Sequence, residues 1–414
     1  MPQADGAVVD VVIVGCGFPQ LGLIRAARAL GLRVGGLDMN PEAVAVPHVH
    51  EFLKVSTSDA EGIADAAKRL GARGLTTTGS EVALRATASA APAVGLPFYA
   101  TPDTVRRCQD KDAMRAGYEA AGLRVPKFVS CTELPEAQRF AAQVGYPVVV
   151  KPARGWGQRG VSRVNAESEL AVALEEALAH SASAGLRAAM VEEWLTGKEY
   201  SVNGFIENGE LVNYCVTERL TVPGNKPLGV MVAELYGSDL TPEQEQLVVS
   251  EARRGAKALG HTQGPCYSQV AFDTQRGVAC LFETAARMGG GFDADVTRLA
   301  SGVDLYARIV GLALGDSELV NAGVSGPKHA AAVAKFKIGT PGLLTEVQGL
   351  DAARALPGVV DAQVFVPIGG TVHPLTDSAK RAGYVLAHGS SRQEVLARAD
   401  AALGTMVLRT QGVA

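Results

Sequence analysis

The sequence predicts a multidomain protein of mixed α/β and α+β class, and three observations carry that expectation. Short apolar runs alternate with helical segments over residues 9 to 101; strands, hairpins and glycine loops take over from Val125; residues 330 to 414 mix short strands with one helix. At 414 residues the chain exceeds one ordinary core, and 47% hydrophobic with 20% charged residues is the composition of a globular protein.

The opening run VDVVIV reads as a buried strand, GCGFPQLGL as a glycine turn and IRAARALG as a small amphipathic helix. RVGGLDMN is a second strand ending at Asp38. Strand, glycine turn, helix, strand and acid open a Rossmann-like domain, but Gly15, Gly17 and Gly22 miss the GxGxxG pattern because Gln20 stands where the third glycine belongs. The expectation is a nucleotide-type fold whose glycines serve the turn, in preference to a domain that binds NAD. EFLKVS, EGIADAAKRLGA, GLTTTGS, an alanine-rich helix and LPFYA continue the alternation, which implies a parallel sheet with crossover helices. TPDTVRRCQDKDAMRAGYEAAG then reads as one helix, with Pro102 suited to its start and Gly122 to its end.

Beyond Val125, YPVVVKP is a strand ending at Lys151, ARGWGQRGV a loop and AESELAVALEEALAHSA a helix with an apolar face. AAMVEEWL and KEYSVNGFIENGELVNYCV follow as strands, with a tight hairpin at Asn208 and Gly209. A proline-containing loop near 221 to 229, a helix over about 242 to 259, the hairpin PCYSQVAFDTQRGVACLFE and the helix SGVDLYARIVGLALG complete the middle of the chain.

Composition removes several function classes. A net charge of −4 with no basic patch gives no pull toward nucleic acid. Six scattered cysteines without CxxC or Cys/His spacing argue against a disulfide framework or structural zinc, and suit free or buried thiols in a reducing cytosol. The start MPQADGAVVD lacks a secretory signal and no apolar run approaches the ~20 residues of a membrane span, so a cytoplasmic protein is expected. His48 and His50 in PHVHEF fit one face of a strand and lack the acids or cysteines of a metal site.

Three stretches carry chemistry. Lys151 closes a strand and a glycine-rich loop follows at once, so an ammonium and backbone N–H groups can face the same phosphate oxygens; the plainer reading is a surface lysine before a flexible hairpin. In EEWLTGKEYSV, Glu192 and Glu199 flank the apolar pair Trp194 and Leu195, which suits a base between an apolar wall and backbone donors and a ribose on an acid; the plainer reading is a solvated strand edge. In CLFETAARMGGGF, Glu283 ends a strand and fits Mg²⁺, which takes hard oxygen ligands shared with phosphates. Arg287 lies four residues on, suited to negative charge in a reacting group or to a structural salt bridge.

With these parts in this order the chain resembles the ATP-grasp carboxylate-amine ligases over nearly its whole length, and ETAARMGGGF is similar to the L-amino acid ligases of the bacilysin-synthetase type. The resemblance implies a Rossmann-like pre-ATP-grasp domain over 1–108, an ATP-grasp domain over 109–325 with a mobile lid at about 125–193, and a small C-terminal α+β domain over 326–414. It implies that Lys111 and Lys151 contact ATP and that residues 153 to 161, with Gly155, Trp156, Gly157 and Gly160, form the lid loop. Glu192, Glu193, Trp194 and Leu195 line the adenine and Glu199 holds the ribose. Glu283 binds Mg²⁺, for which Mn²⁺ can substitute, and Arg287 with the backbone around Gly290 stabilises the reacting carboxylate. The activity implied is activation of a carboxylate, that of an amino acid, as an acyl phosphate, then amide or peptide bond formation with release of ADP and phosphate. A homodimer is the family default.

Two departures stand out. Ala285 occupies the position at which many members carry a metal-binding asparagine. The preceding strand offers Gln269 and Asp273 where an acid is usual; a three-residue hairpin loop, 275 to 277, would set Gln269 opposite Glu283, which favours Gln269 as the second ligand. The alternatives are a purine-pathway or bicarbonate-activating enzyme of the same fold and, more remotely, an NAD-binding oxidoreductase or a nucleotide sensor.

Overall fold

Four sheets organise residues 8–224, 228–321 and 328–412, the part of the chain that the computed structural model describes. The first is parallel. Val11–Val14 lies at its centre between Val34–Asp38 and Gly74–Thr76, with Glu51–Lys54 at one edge. Val11–Val14 is buried at every position, as an uninterrupted β-branched run between two helical layers requires.

The turn after this strand explains the missing glycine. Gln20 folds back into the turn, its Oε1 accepting from the Gly17 N–H at 3.2 Å and its Nε2 donating to the Thr78 carbonyl at 2.6 Å. Asp38 accepts from the Cys16 N–H at 2.8 Å. The protein's own side chains therefore satisfy the crevice at the strand ends where this fold otherwise holds a dinucleotide. His48 ends a short 3₁₀ turn and His50 Nδ1 accepts from the Val34 N–H at 3.0 Å, so neither histidine sits in the strand expected for the pair.

The single helix expected over 102 to 122 is two helices, Pro102–Gln109 and Lys111–Ala120, separated by an extended Asp110 (φ −87°, ψ 107°). Tertiary contacts override helix propensity there. The Asp110 carboxylate takes both Nε and Nη2 of Arg154, at 2.6 and 2.7 Å, and Arg85 at 3.2 Å, while the Lys111 N–H donates to the Ala153 carbonyl at 3.0 Å.

Phe128–Cys131, Ala189–Glu193, Val148–Pro152 and Ser162–Val164 form an antiparallel sheet in that order. Helices Leu134–Val144 and Glu167–Ser183 cover it, burying Val148, Val150, Leu170, Leu174 and Val191 in a core of its own. The largest sheet is antiparallel with eight strands, in the order Val278–Ala285, Gly264–Asp273, Lys198–Glu207, Glu210–Thr221, Met231–Tyr236, Ala331–Lys337, Gly383–Gly389 and Val359–Val364. Its hairpin at Asn208 and Gly209 has positive φ at both residues, the tight turn that the pair suggests. Ala331–Lys337 pairs with Met231–Tyr236, so the C-terminal segment extends this sheet by three strands; a separate three-stranded sheet, Thr371–Val372, Gly342–Gln348 and Val407–Gln411, lies beyond it. The first domain is keyed to the rest at Gly22, where a Cβ would lie 2.4 Å from the Tyr306 ring. All six cysteines are buried and unpaired, and among the described residues no helix is long and apolar enough to cross a membrane.

Candidate active site

A cleft of about 210 Å³ separates the antiparallel four-stranded sheet from the eight-stranded one, and it gathers most of the residues that the sequence singles out. Lys151 reaches its floor from the end of Val148–Pro152. Glu192, on the neighbouring strand, is 3% exposed, and its carboxylate is shared between Lys151 Nζ at 2.6 Å and Arg115 Nη2 at 2.5 Å. That corrects the reading of its side chain: the carboxylate does not face a base but holds the lysine in place. Burial pulls the Lys151 ammonium down to about 8, with Glu192 opposing and Arg115 and Lys111 assisting. Burial pushes Glu192 upward, but Arg115 and Lys151 outweigh it and hold the carboxyl at about 2. The triad is therefore an internal clamp that holds a cation at the floor of the cleft.

Lys111 lines the same cleft and its Nζ donates to the Gly155 carbonyl at 3.0 Å. The loop it touches is anchored by the Arg154–Asp110 pair, which explains why the helix breaks at Asp110. Gly155, Trp156 and Gly157 line the cleft. Gly160 does not: its φ of +67° and a would-be Cβ 2.6 Å from His180 make it a packing position on the helix Glu167–Ser183.

Glu193, Trp194, Leu195 and Glu199 line the opposite wall. The Arg163 guanidinium stacks 4.2 Å from the Trp194 ring, and the Glu193 carboxylate turns outward to the Lys127 N–H at 3.0 Å and to Arg276 at 3.5 Å. Gly197 cannot be replaced at this connector, since a Cβ would sit 2.0 Å from the Phe272 carbonyl oxygen. Glu199 Oε2 accepts from Gln269 Nε2 at 2.6 Å and lies 3.4 Å from Arg219 Nε, which leaves Oε1 to meet a hydroxyl.

Gln269 stands opposite Glu283, but by another route than the short loop expected. The hairpin loop has four residues, 274 to 277, and a β-bulge between Gln269 and Val270 restores the pairing. The residue left over is Phe282, whose carbonyl accepts from Arg115 Nη1 at 2.7 Å. Asp273 is turned to the hairpin, accepting from the Gln275 and Arg276 N–H groups at 3.0 and 3.1 Å, so it is no competitor for the cleft. Glu283 faces the cleft with Ala285 beside it. Gln269 donates through its nitrogen to Glu199, and its amide oxygen takes no hydrogen bond from the described residues, at the ladder position opposite Glu283. One carboxylate and one neutral oxygen fit a Mg²⁺ ion that takes its remaining ligands from nucleotide phosphates and water; among the described residues no cluster of three or more acids, histidines or cysteines offers a protein-only cage.

Arg287 forms an ion pair with Glu81, donates to the Met288 carbonyl at 2.9 Å and lies 5.6 Å from the centre of the Tyr267 ring. Glu81 comes from the first domain, at the start of Glu81–Ala93, and also accepts from Gln109 Nε2 at 2.8 Å. Burial alone would lower the arginine's pKa, but Glu81, Glu283 and Tyr267 reverse that and raise it. The glycines that follow serve packing more than open space. A Cβ on Gly289 would lie 2.2 Å from Asp293 Oδ2 and one on Gly291 2.3 Å from Met231 Cε, and the Gly291 N–H donates to Asp293 at 2.8 Å. Only Gly290 of the three lies clear of such contacts, lining a second cavity that shares Glu81, Gln269, Glu283 and Arg287 with the first. Glu81, Arg115 and Arg219 were missed in the sequence. Arg115 had a signal, since it follows Lys111 by four residues on one helix face. Glu81 had one too, since it opens the helix that follows the parallel strand Gly74–Thr76, on the side of the strand's carboxyl end.

The family model for the carbamoyl-phosphate synthase L chain ATP-binding domain matches residues 110–319, and that for the L-amino acid ligase C-terminal domain 2 matches residues 336–411. An uncharacterized protein of Sinorhizobium fredii is 31% identical over 294 residues, 70% of this chain; the chain spans 59% of that relative's length. The fold is similar to that of an L-amino acid ligase from Bacillus licheniformis (21% identity, TM-score 0.80, covering 97% of this chain and 99% of that one). It is also similar to a phosphoribosylglycinamide synthetase from Anaerococcus prevotii (17%, 0.76, 97% and 99%). The first of these matches spans half of the residues, from the Asp110 break through the helix Leu305–Leu314: the chain belongs to the family of the carbamoyl-phosphate synthase ATP-binding domain, and its fold is the ATP-grasp fold.

Proposed function

We propose that this protein is an ATP-dependent ligase that activates the carboxylate of an amino acid as an acyl phosphate and couples it to an amine. The observation that carries the reading is the shared wall between the two cavities: Glu283, Gln269, Arg287 and Glu81 border both, so a nucleotide in the first places its γ-phosphate at the mouth of the second. The match of residues 336–411 to the L-amino acid ligase C-terminal domain supports an amino acid as the substrate.

ATP binds with its phosphates on Lys111 and Lys151 and its base beside Trp194 and Leu195. Bound Mg²⁺ on Glu283 and the Gln269 amide oxygen supplies neutralisation of phosphate charge. A carboxylate oxygen attacks the γ-phosphorus in line and ADP leaves, a reaction in which the protein chiefly positions and neutralises. The amine then attacks the acyl carbon, and Arg287 faces the oxyanion of the tetrahedral intermediate before phosphate departs. The loop around Trp156 excludes water from the acyl phosphate. Incubation with ATP, Mg²⁺ and single or paired amino acids, reading ADP and product mass, tests this. ADP release driven by bicarbonate or a ribosylamine, and by no amino acid, would favour instead a carboxylating or purine-type enzyme of the same fold. Sedimentation reads out the homodimer that we propose alongside.

A further inference from the structure

The second cavity, about 420 Å³, is walled by all three parts of the chain: Glu81 of the first domain, Arg219 and Asp293 of the central sheet and the helix beyond it, and Arg381 of the C-terminal segment. Three of these present buried polar atoms with no hydrogen-bond partner among the described residues, Arg219 Nε, Asp293 Oδ1 and Arg381 Nη1, and of the three only the Arg219 nitrogen has an ion-pair partner, Glu199 at 3.4 Å. Asp293 is 1% exposed and its other oxygen is fixed by the Gly291 N–H, so Oδ1 is an oriented acceptor. Gly289 lacks the Cβ that would displace it.

Arg381 is the complement. Its Nε donates to the Ser378 carbonyl at 2.7 Å and its guanidinium lies 3.7 Å from the Phe336 ring centre, which fixes the plane. No carboxylate of the described residues forms an ion pair with it, although Arg159, Arg219 and Arg287 are each paired or hydrogen-bonded. Burial pulls it down to about 10, against the pull of Asp293 and Glu234. A cation whose inner nitrogen is buried without a direct ion-pair or hydrogen-bond partner is costly unless a ligand supplies one.

The carboxylate to be activated belongs at Arg287 and Glu283, so an anion at Arg381 comes from a second molecule. We propose that Arg381 and Asp293 form the subsite of the amine donor, Arg381 binding its α-carboxylate and Asp293 Oδ1 accepting from its amino group, so that the enzyme couples amino acids and rejects amines without a carboxylate. This rests on the ligase reading above and names the chemistry of its second substrate. The same segment reaches the loop over the nucleotide, through the Ser378 N–H to the Gly157 carbonyl at 3.1 Å and the Arg159–Asp377 pair at 3.7 Å. Filling the subsite therefore bears directly on the loop that shields the acyl phosphate.

The test uses the full chain, ATP, Mg²⁺ and a pool of the twenty proteinogenic L-amino acids as acyl donors, with four nucleophiles read by mass spectrometry. These are the amino acids themselves, their carboxamides, 2-aminoethyl phosphate and hydroxylamine, which needs no anion site. In the wild type, amino acids couple at least ~100-fold better than carboxamides, the size expected of a desolvated charge pair. Arg381→Met and Asp293→Asn abolish that preference, and they raise KM for the amino acid amine while acyl hydroxamates still form. Hydroxamates lost in step with peptides in folded Arg381→Met would assign the arginine a structural role and overturn the proposal. Equal coupling of carboxamides by the wild type, or 2-aminoethyl phosphate as the better nucleophile, overturns it as well. A wild type that forms no hydroxamate from any member of the pool sinks the ligase reading, a separate failure.

Discussion

Lys151 ties nucleotide binding to pH with a sign opposite to that of stability. Its ammonium is held at about 8 in the folded protein against 10.5 unfolded. Between those values the unfolded chain binds more protons, so stability rises with pH across that window, and at neutral pH keeping the charge in the cleft costs about 3 kcal/mol. In the proposed complex, ATP binding uses that charge. The ionised fraction falls about tenfold between pH 7 and 9, so the Kd for ATP should rise about tenfold over the same interval while the melting temperature does not fall on this group's account. The chain's two tryptophans, Trp156 and Trp194, both line the cleft, so intrinsic fluorescence titrated with ATP at each pH is the assay. Lys151→Arg, charged throughout, should bind more weakly but with a flat profile. Glu192→Gln removes the main opposing charge and should move the midpoint to lower pH by roughly one unit or more. A flat wild-type profile, or an unchanged slope in Lys151→Arg, would refute the assignment of the charge to Lys151.

Glu283→Ala should abolish amine-dependent ADP release while leaving far-UV circular dichroism unchanged and the unfolding free energy within about 1 kcal/mol of wild type, since the side chain makes no hydrogen bond or close ion pair with the described residues; turnover in the folded variant would remove it from the metal site. Gln269→Glu places a second carboxylate against Glu199, which Gln269 now bonds at 2.6 Å, and should cost roughly 1–3 kcal/mol without metal, recovered on adding Mg²⁺ or Mn²⁺; a melting temperature insensitive to metal counts against that coordination. Gly289→Ala should lower kcat/KM at least ~10-fold by pushing Asp293 aside, and Gly291→Ala less, because the Met231 terminus it meets can swing away. Equal effects of the two would mean that Asp293 is not fixed by this contact.

The order of chemical parts was legible in the chain because each lies within a few residues of a strand end: Lys151, the acids around Trp194, and Glu283 with Arg287. Partners drawn from distant segments were not. Glu81 reaches Arg287 from 206 residues away, as the sequence numbers show, and Arg381 enters the second cavity from beyond an unrelated strand. The helix break at Asp110 depends on Arg154, which no local propensity can register. The pairing of Gln269 with Glu283 followed from a loop one residue too short and is restored by an unforeseen bulge, so two offsetting features gave one register.

The eight-stranded ladder has a consequence for making chimaeras. Because Ala331–Lys337 is laced to Met231–Tyr236 through Ala233↔Lys335, Glu234↔Ala334 and Leu235↔Val333, a C-terminal segment borrowed from a relative has to match that lacing residue for residue. A transplant one residue out of step turns Ala334 and Phe336 to the opposite face and carries Arg381 with them. Swaps that keep the lacing should bring the donor's choice of second substrate along with the graft.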